Sequence, residues 1–105
     1  MESGKTQRGF VKGKFEDLYG AKCSIQASSL GSESAIWLGV DDAQPQVMAS
    51  EAAMVGVLTD KSCGWVPYPI PPQVLLTTRM HLSQEQVKML LPALQRFAAT
   101  GELKC

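Results

Sequence analysis

Apolar and polar residues alternate in the first third of the chain, in the pattern typical of half-buried β-strands. From Cys23 to Ala27 every second residue is apolar and the residues between are polar, so one face is predicted to be buried. A second strand-forming run, Gly9 to Glu16, precedes Ala21 to Ala27 and is separated from it by Asp17-Leu18-Tyr19-Gly20, whose glycine permits a tight turn. These two runs are predicted to form a β-hairpin.

Two further segments have the same period of two. The segment from Ala35 to Val40 has its aliphatic side chains on one face and Trp37 on the other. The segment from Val74 to Leu82 directs its apolar side chains inward and both Arg79 and His81 outward. We therefore expect a third and a fourth strand here.

The end of the chain changes to helical spacing. Ser83 is predicted as the N-cap, Gln86 completes a capping box with it, and Gly101 is predicted as the C-cap. One apolar stripe, called the helix stripe below, consists of Val87, Leu90, Leu91, Leu94, Phe97 and Ala98. Pro92 lies within the helix and is expected to bend it. We expect the helix stripe to lie across the inward face of the sheet.

The segment from residue 41 to residue 73 is harder to interpret. A short helix is predicted over Ser50 to Val55, and the run Trp65 to Pro72 contains four prolines, which favour an extended, unpaired but ordered backbone. The predicted fold class is α+β: a small antiparallel sheet of about four strands, a C-terminal helix packed on one face and a long proline-rich excursion. Residues 1–8 are predicted as a flexible polar leader and residues 9–105 as a single domain.

Length, charge and cysteine spacing argue against several classes of function. The 105 residues suit one domain, and 10 basic and 10 acidic residues give a formal net charge of zero. This argues against dedicated DNA or RNA binding and makes self-association easier. No apolar stretch approaches the ~20 residues that cross a bilayer, and residues 1–8 lack the apolar core of a secretory signal, so a cytoplasmic location is expected. The three cysteines have no CxxC spacing, and they are expected to be reduced thiols.

Few residues are suited to catalysis. His81 is the only histidine, Cys23 alternates toward the core, and Cys63 lies in the irregular segment. The pairs Asp41-Asp42 and Glu16-Asp17 could hold a cation, although adjacent carboxylates are more often turn residues. No Walker loop, GxGxxG or GxSxG motif is present. We therefore predict a binding protein rather than an enzyme, with no cofactor and no metal.

Aromatic and basic residues support binding. The candidate ligand-binding residues are Arg79, His81, Trp65, Tyr68, Trp37 and Lys61. Aromatic rings that stack on a base, beside an arginine that pairs with phosphate, suit a nucleotide pocket. The same residue types are also enriched in subunit interfaces, and both interpretations hold if pockets form between subunits. The loop Ser28 to Ser32 could cradle an anion or simply connect two strands.

Several short sequence motifs follow one another along the chain. They are DLYGAKCSIQ (17–26), SSL (28–30), AIWLGVDD (35–42), GWVPYPIP (64–71), RMHL (79–82), LPALQ (91–95) and TGEL (100–103). In these motifs the chain resembles a family of short hypothetical proteins encoded by bacteriophages and prophages. The resemblance covers nearly the whole chain after residue 9, and it implies a setting in an infected bacterium rather than a mechanism.

In size and setting only, such proteins resemble counter-defence sponges that sequester the nucleotide signals of bacterial immunity. The leading hypothesis is accordingly a homo-oligomer, a dimer or higher, that captures a cyclic oligonucleotide or an ADP-ribose derivative. The first alternative is an interaction protein that inhibits a host protein directly, and the second is a small hydrolase.

Overall fold

The computed structural model describes residues 1–105, in which seven strands precede a single α-helix. In chain order the elements are β1 Glu2–Lys5, β2 Val11–Glu16, β3 Lys22–Ala27, β4 Ala35–Val40, β5 Gln46–Met48, a 3-10 helix Ala49–Val55, β6 Trp65–Pro67, β7 Met80–Ser83 and α1 Gln84–Thr100. Strands β1, β2, β3, β4 and β7 form one antiparallel sheet in that spatial order, called the main sheet below. The predicted α+β class, with an antiparallel sheet and a C-terminal helix, is confirmed.

The predicted hairpin is formed by β2 and β3. In its turn, Asp17 Oδ1 accepts hydrogen bonds from the backbone N–H groups of Tyr19 at 2.8 Å and Ala21 at 2.9 Å. Gly20 adopts a φ of 81°, a value that favours glycine over other residues. The turn sets the hairpin register, in which Lys12 is opposite Gln26.

The first residues of the chain correct one prediction. Residues 1–8 were expected to be a flexible leader, but Glu2–Lys5 pairs with β2 as an edge strand, so the main sheet has five strands rather than about four. This pairing uses backbone groups and needs no apolar side chains, which is why alternation does not reveal it. The strand expected from Val74 is also shorter, because β7 begins at Met80.

Residues 41–73 contain a second, smaller unit. Strands β5 and β6 pair antiparallel, and the 3-10 helix between them replaces the predicted short α-helix. Ala49, Ala52 and Val66 form a small buried cluster in this unit. The first residues of the proline-rich run were expected to be unpaired, but Trp65–Pro67 pairs with Gln46–Met48. A short edge strand tolerates proline because one side of its backbone needs no partner.

The C-terminal helix has the predicted ends but not the predicted packing. Ser83 and Gln86 form a complete capping box, and Gly101 ends the helix with a φ of 76°. No residue of α1 is buried, and its main contacts with the sheet are to β7, while Val87 and Leu91 line a groove beside Ile36 of β4. The helix therefore does not lie across the sheet. Strand β7 ends at Ser83 and α1 begins at the next residue, so no loop exists that could turn the helix back over the sheet.

One face of the main sheet is consequently left uncovered within the chain. The cross-strand register places aliphatic side chains together on this face, called the apolar sheet face below, and they include Val11, Ile25, Ile36, Leu38, Met80 and Leu82. On this face Val11 is 64% exposed and Met80 is 50% exposed, whereas Ile25, Ile36, Leu38 and Leu82 are half-buried. Only 6 of the 105 residues are buried. The chain alone thus has a very small core.

Candidate functional site

The opposite face of the main sheet is polar and carries a row of four side chains. Lys12 is opposite Gln26, Gln26 is opposite Trp37, and Trp37 is opposite His81 in successive strand pairs. Directly opposed residues share a face of the sheet and lie about 5 Å apart at their Cβ atoms. The row therefore brings together a cation, an amide, an indole and an imidazole across four strands.

Trp37 and His81 form a stacked pair at one end of this row. Their ring centroids are 3.9 Å apart and their planes differ by 4°. His81 Nε2 also lies 2.9 Å from Ser28 Oγ, within hydrogen-bonding distance. Because stacking and this hydrogen bond both restrict the imidazole, the pair presents a flat aromatic surface in a defined orientation.

Arg79 lies beside the stacked pair and has unused hydrogen-bonding capacity. Its guanidinium carbon is 5.4 Å from the centroid of the Trp37 ring, within the range of a cation–π interaction. Its Nε is buried and has no hydrogen-bond partner. A buried donor without an acceptor is costly. Arg79 is in none of the ion pairs of the chain, so an anionic group that reached the terminal nitrogens of its guanidinium would accept charge-assisted hydrogen bonds.

Gly39 explains how Arg79 comes so close to the sheet. A Cβ atom at Gly39 would lie 2.5 Å from the backbone oxygen of Thr78 and 2.7 Å from the Cα of Arg79. The φ of Gly39 is 149°, which side chains of other residues rarely permit. The backbone of Thr78 and Arg79 therefore passes directly over Gly39, and this holds Arg79 next to Trp37.

The polar face carries unpaired charges of both signs. The ion pairs of the chain join Lys22 to Glu16, Lys88 to Glu85 and Arg96 to Glu102. Lys12, Lys14 and Arg79 are in none of these pairs. Glu2 is opposite Lys14 in the strand register but does not form an ion pair with it. Asp41, which bonds to Ser24 on this face, is also in no ion pair, so the unpaired cations exceed the unpaired carboxylates by one.

The structure brings together three of the six residues that the sequence predicts as a binding site, namely Arg79, His81 and Trp37. The other three lie in the smaller unit and the loops around it. Trp65 is in β6, Tyr68 lines a groove beside Pro45, and Lys61 is in an exposed loop. No stacking, cation–π or hydrogen-bond contact joins them to Trp37 within one chain.

The types of the other residues on this face do not identify them as members of a binding site. Lys12 and Gln26 can be assigned to the site only when the hairpin register is combined with alternation, because the register places them in one row with Trp37. From the sequence, Ser28 is a binding candidate only as part of a loop that could cradle an anion. Gly39 has no sequence signal, since its role depends on a backbone approach from residues far along the chain.

Cys23 and His81 are a thiol and an imidazole that could in principle serve as nucleophile and base. Cys23 lies on the apolar sheet face and His81 on the polar face, so these two side chains cannot act together within one chain. Burial raises the pKa of the Cys23 thiol, which keeps it protonated and weakly nucleophilic at neutral pH.

Asp41 accepts a hydrogen bond from the buried Ser24 hydroxyl, so its carboxylate supports the fold. No group of three His, Cys, Asp or Glu side chains is placed to hold a metal ion.

Comparison with known proteins adds no relative. No family model, curated protein or solved structure matches the chain. No helix of the protein is both long and apolar enough to cross a bilayer.

Proposed function

We propose that the protein captures a nucleotide-type ligand on the polar face of the main sheet, without transforming it. The observation that supports this most directly is the stacked Trp37 and His81 pair beside the guanidinium of Arg79, which is in none of the ion pairs of the chain. A nucleobase would extend the stack, and each base stacked on an aromatic side chain contributes about 1 to 3 kcal/mol. A phosphate would accept hydrogen bonds from Arg79.

Two neighbouring groups extend the same chemistry. Lys12 and Lys14 are unpaired cations on the same face, suited to a second phosphate or to the diphosphate of an ADP-ribose derivative. Gln26 lies between Lys12 and Trp37 in the row and offers both a donor and an acceptor to a base edge. The face thus favours a ligand with an aromatic ring and more than one negative charge.

The resemblance to bacteriophage and prophage proteins supports a more specific form of this proposal. The ligand would be a nucleotide signal of bacterial immunity, either a cyclic oligonucleotide or an ADP-ribose derivative, captured in the cytoplasm of the infected cell. Capture would lower the free signal in proportion to the number of binding sites. Such a protein needs tight binding and no catalytic group.

A hydrolase is the second candidate, because Ser28 Oγ and His81 Nε2 lie at the 2.9 Å separation of a nucleophile and its base. Two observations favour capture. The His81 ring is stacked on Trp37, and no carboxylate hydrogen-bonds its other nitrogen to orient it as a base. Incubation of the protein with the ligand, followed by heat denaturation, separates the two candidates: capture returns the ligand intact, and a hydrolase returns fragments.

The binding experiment is a thermal-shift screen against cyclic dinucleotides, cyclic trinucleotides and ADP-ribose isomers, since a tight ligand stabilises the fold by mass action. Calorimetry with the best ligand then compares Trp37→Ala with Trp65→Ala, an aromatic residue in the smaller unit. Trp37→Ala should weaken binding by about 1 to 3 kcal/mol, whereas Trp65→Ala should bind like the wild type. If no nucleotide binds the wild type, the proposal is wrong and direct inhibition of a host protein becomes the leading hypothesis.

A further inference from the structure

The chain leaves two apolar surfaces uncovered, the apolar sheet face and the helix stripe. On the helix, Leu94 is 55% exposed and Phe97 is 54% exposed. Single exposed aliphatic side chains are common, but monomeric proteins rarely expose a whole sheet face together with the stripe of an adjacent helix. We propose that a second copy of this chain covers both surfaces, with the helix stripe of each copy packed on the apolar sheet face of the other.

The exposed area supports a partner of this size. A compact folded chain of 11.4 kDa exposes about 5,800 Å². This chain exposes 8453 Å², an excess of about 2,700 Å². Obligate homodimers bury about 1,000 to 2,500 Å² or more on each copy, so the excess has the size of an obligate interface.

The shape of the chain leads to the same conclusion. Its radius of gyration is 17.8 Å, whereas a compact domain of this length has a radius of about 13 Å. The extension arises because neither α1 nor the smaller unit of β5, β6 and the 3-10 helix packs extensively on the main sheet. A helix that does not cover its own sheet can reach the sheet of another copy, as in domain swapping.

The two surfaces match each other in length and chemistry. The helix stripe from Val87 to Ala98 extends about 16 Å at the rise of an α-helix. The apolar sheet face from β2 to β7 spans three strand spacings, about 14 Å. Both are apolar, and a net charge of zero does not oppose association of identical copies. Reciprocal packing of helix on sheet also closes a two-fold dimer, so neither of these two surfaces is left to recruit further copies.

Light scattering of the full chain at micromolar concentration tests the proposal. We expect a mass of twice 11.4 kDa for the wild type. Leu94→Lys and Val11→Lys, one on each surface, should both shift the mass to that of a single chain. Met89→Lys is the matched control, because Met89 is 81% exposed and lies on the side of α1 away from the helix stripe. Its mass should equal that of the wild type.

Circular dichroism of the variants separates loss of association from loss of folding. A wild type that scatters as a single chain would overturn the proposal, and binding of that monomer to a host protein would then identify a different occupant. The proposal is also overturned if Leu94→Lys and Val11→Lys remain folded with the mass of the wild type. Neither result depends on nucleotide binding, so the proposed function and the proposed interface can fail separately.

Discussion

Arg79 is the side chain on which the proposed binding depends most. Arg79→Ala should weaken nucleotide binding by about 1.5 to 3 kcal/mol, because a hydrogen bond to a charged group is worth that much. Arg79→Lys should recover only part of the loss, since lysine keeps the charge but not the forked geometry. Calorimetry measures both, with Arg96→Ala as the control, because Arg96 lies on α1 and pairs with Glu102. Equal affinity of Arg79→Ala and the wild type would place the ligand elsewhere.

A substitution at Gly39 tests the backbone path of Thr78 and Arg79 rather than a side-chain contact. Gly39→Ala would place a Cβ atom 2.5 Å from the Thr78 oxygen and strain a φ of 149°, so Thr78 and Arg79 must move. Backbone strain of this type costs about 1 to 3 kcal/mol. The variant should therefore have both a lower melting temperature and a weaker affinity for the nucleotide.

Gly31→Ala is the control for this variant, since nothing lies within 4 Å of the atom that it adds and its φ is unstrained. Thermal unfolding and calorimetry on the two variants test the argument. A Gly39→Ala protein that melts and binds like Gly31→Ala would show that Arg79 does not depend on this close approach.

At the scale of single elements, the N-terminus of α1 is defined by its cap. Ser83 Oγ accepts a hydrogen bond from the Gln86 backbone N–H at 3.2 Å, and Gln86 Oε1 accepts one from the Ser83 N–H at 2.9 Å. Ser83→Ala removes the first of these and should cost about 0.5 to 2 kcal/mol. Ser32→Ala, in an exposed bend, should cost almost nothing. Urea unfolding compares the midpoints, and identical midpoints would show that the cap does not stabilise the fold.

The elements that the sequence predicts well are those with local signals. The hairpin follows from Asp17 and Gly20, which fix its turn, and α1 follows from its two caps and its apolar spacing. Strand β1 could not be predicted, because its pairing uses backbone groups that every residue has. The packing of α1 could not be predicted either. An amphipathic pattern shows which side of a helix is buried, but not whether the covering surface belongs to the same chain.

In the candidate site too, some features follow from the local sequence, whereas others depend on pairings between distant segments. Alternation alone places Trp37, Arg79 and His81 on outward faces, and the strand register then joins them. Trp65, Tyr68 and Lys61 were grouped with them by residue type alone. Residue type states what a side chain can bind, whereas its neighbours are decided by pairings between segments that are distant in the chain.

At the scale of the whole molecule, the proposed interface would link stability to association. Only 6 residues are buried in one chain, so apolar area buried between two copies would add to the stability of each. The apparent melting temperature should therefore rise with protein concentration. For a dimer that unfolds as it dissociates, each tenfold increase in concentration adds about 1.4 kcal/mol, or roughly 3 to 5 °C for two chains of this length.

Differential scanning calorimetry over a hundredfold range of concentration measures this dependence. Leu94→Ala provides the informative comparison. Leu94 is half exposed within one chain, so its truncation would cost little if the chain were a monomer. If Leu94 is buried against a second copy, the same truncation should cost about 2 to 5 kcal/mol, as in a protein core. Met89→Ala should leave the melting curve unchanged at every concentration. A melting temperature that is independent of concentration, with a negligible effect of Leu94→Ala, would show that the exposed helix stripe belongs to a stable monomer.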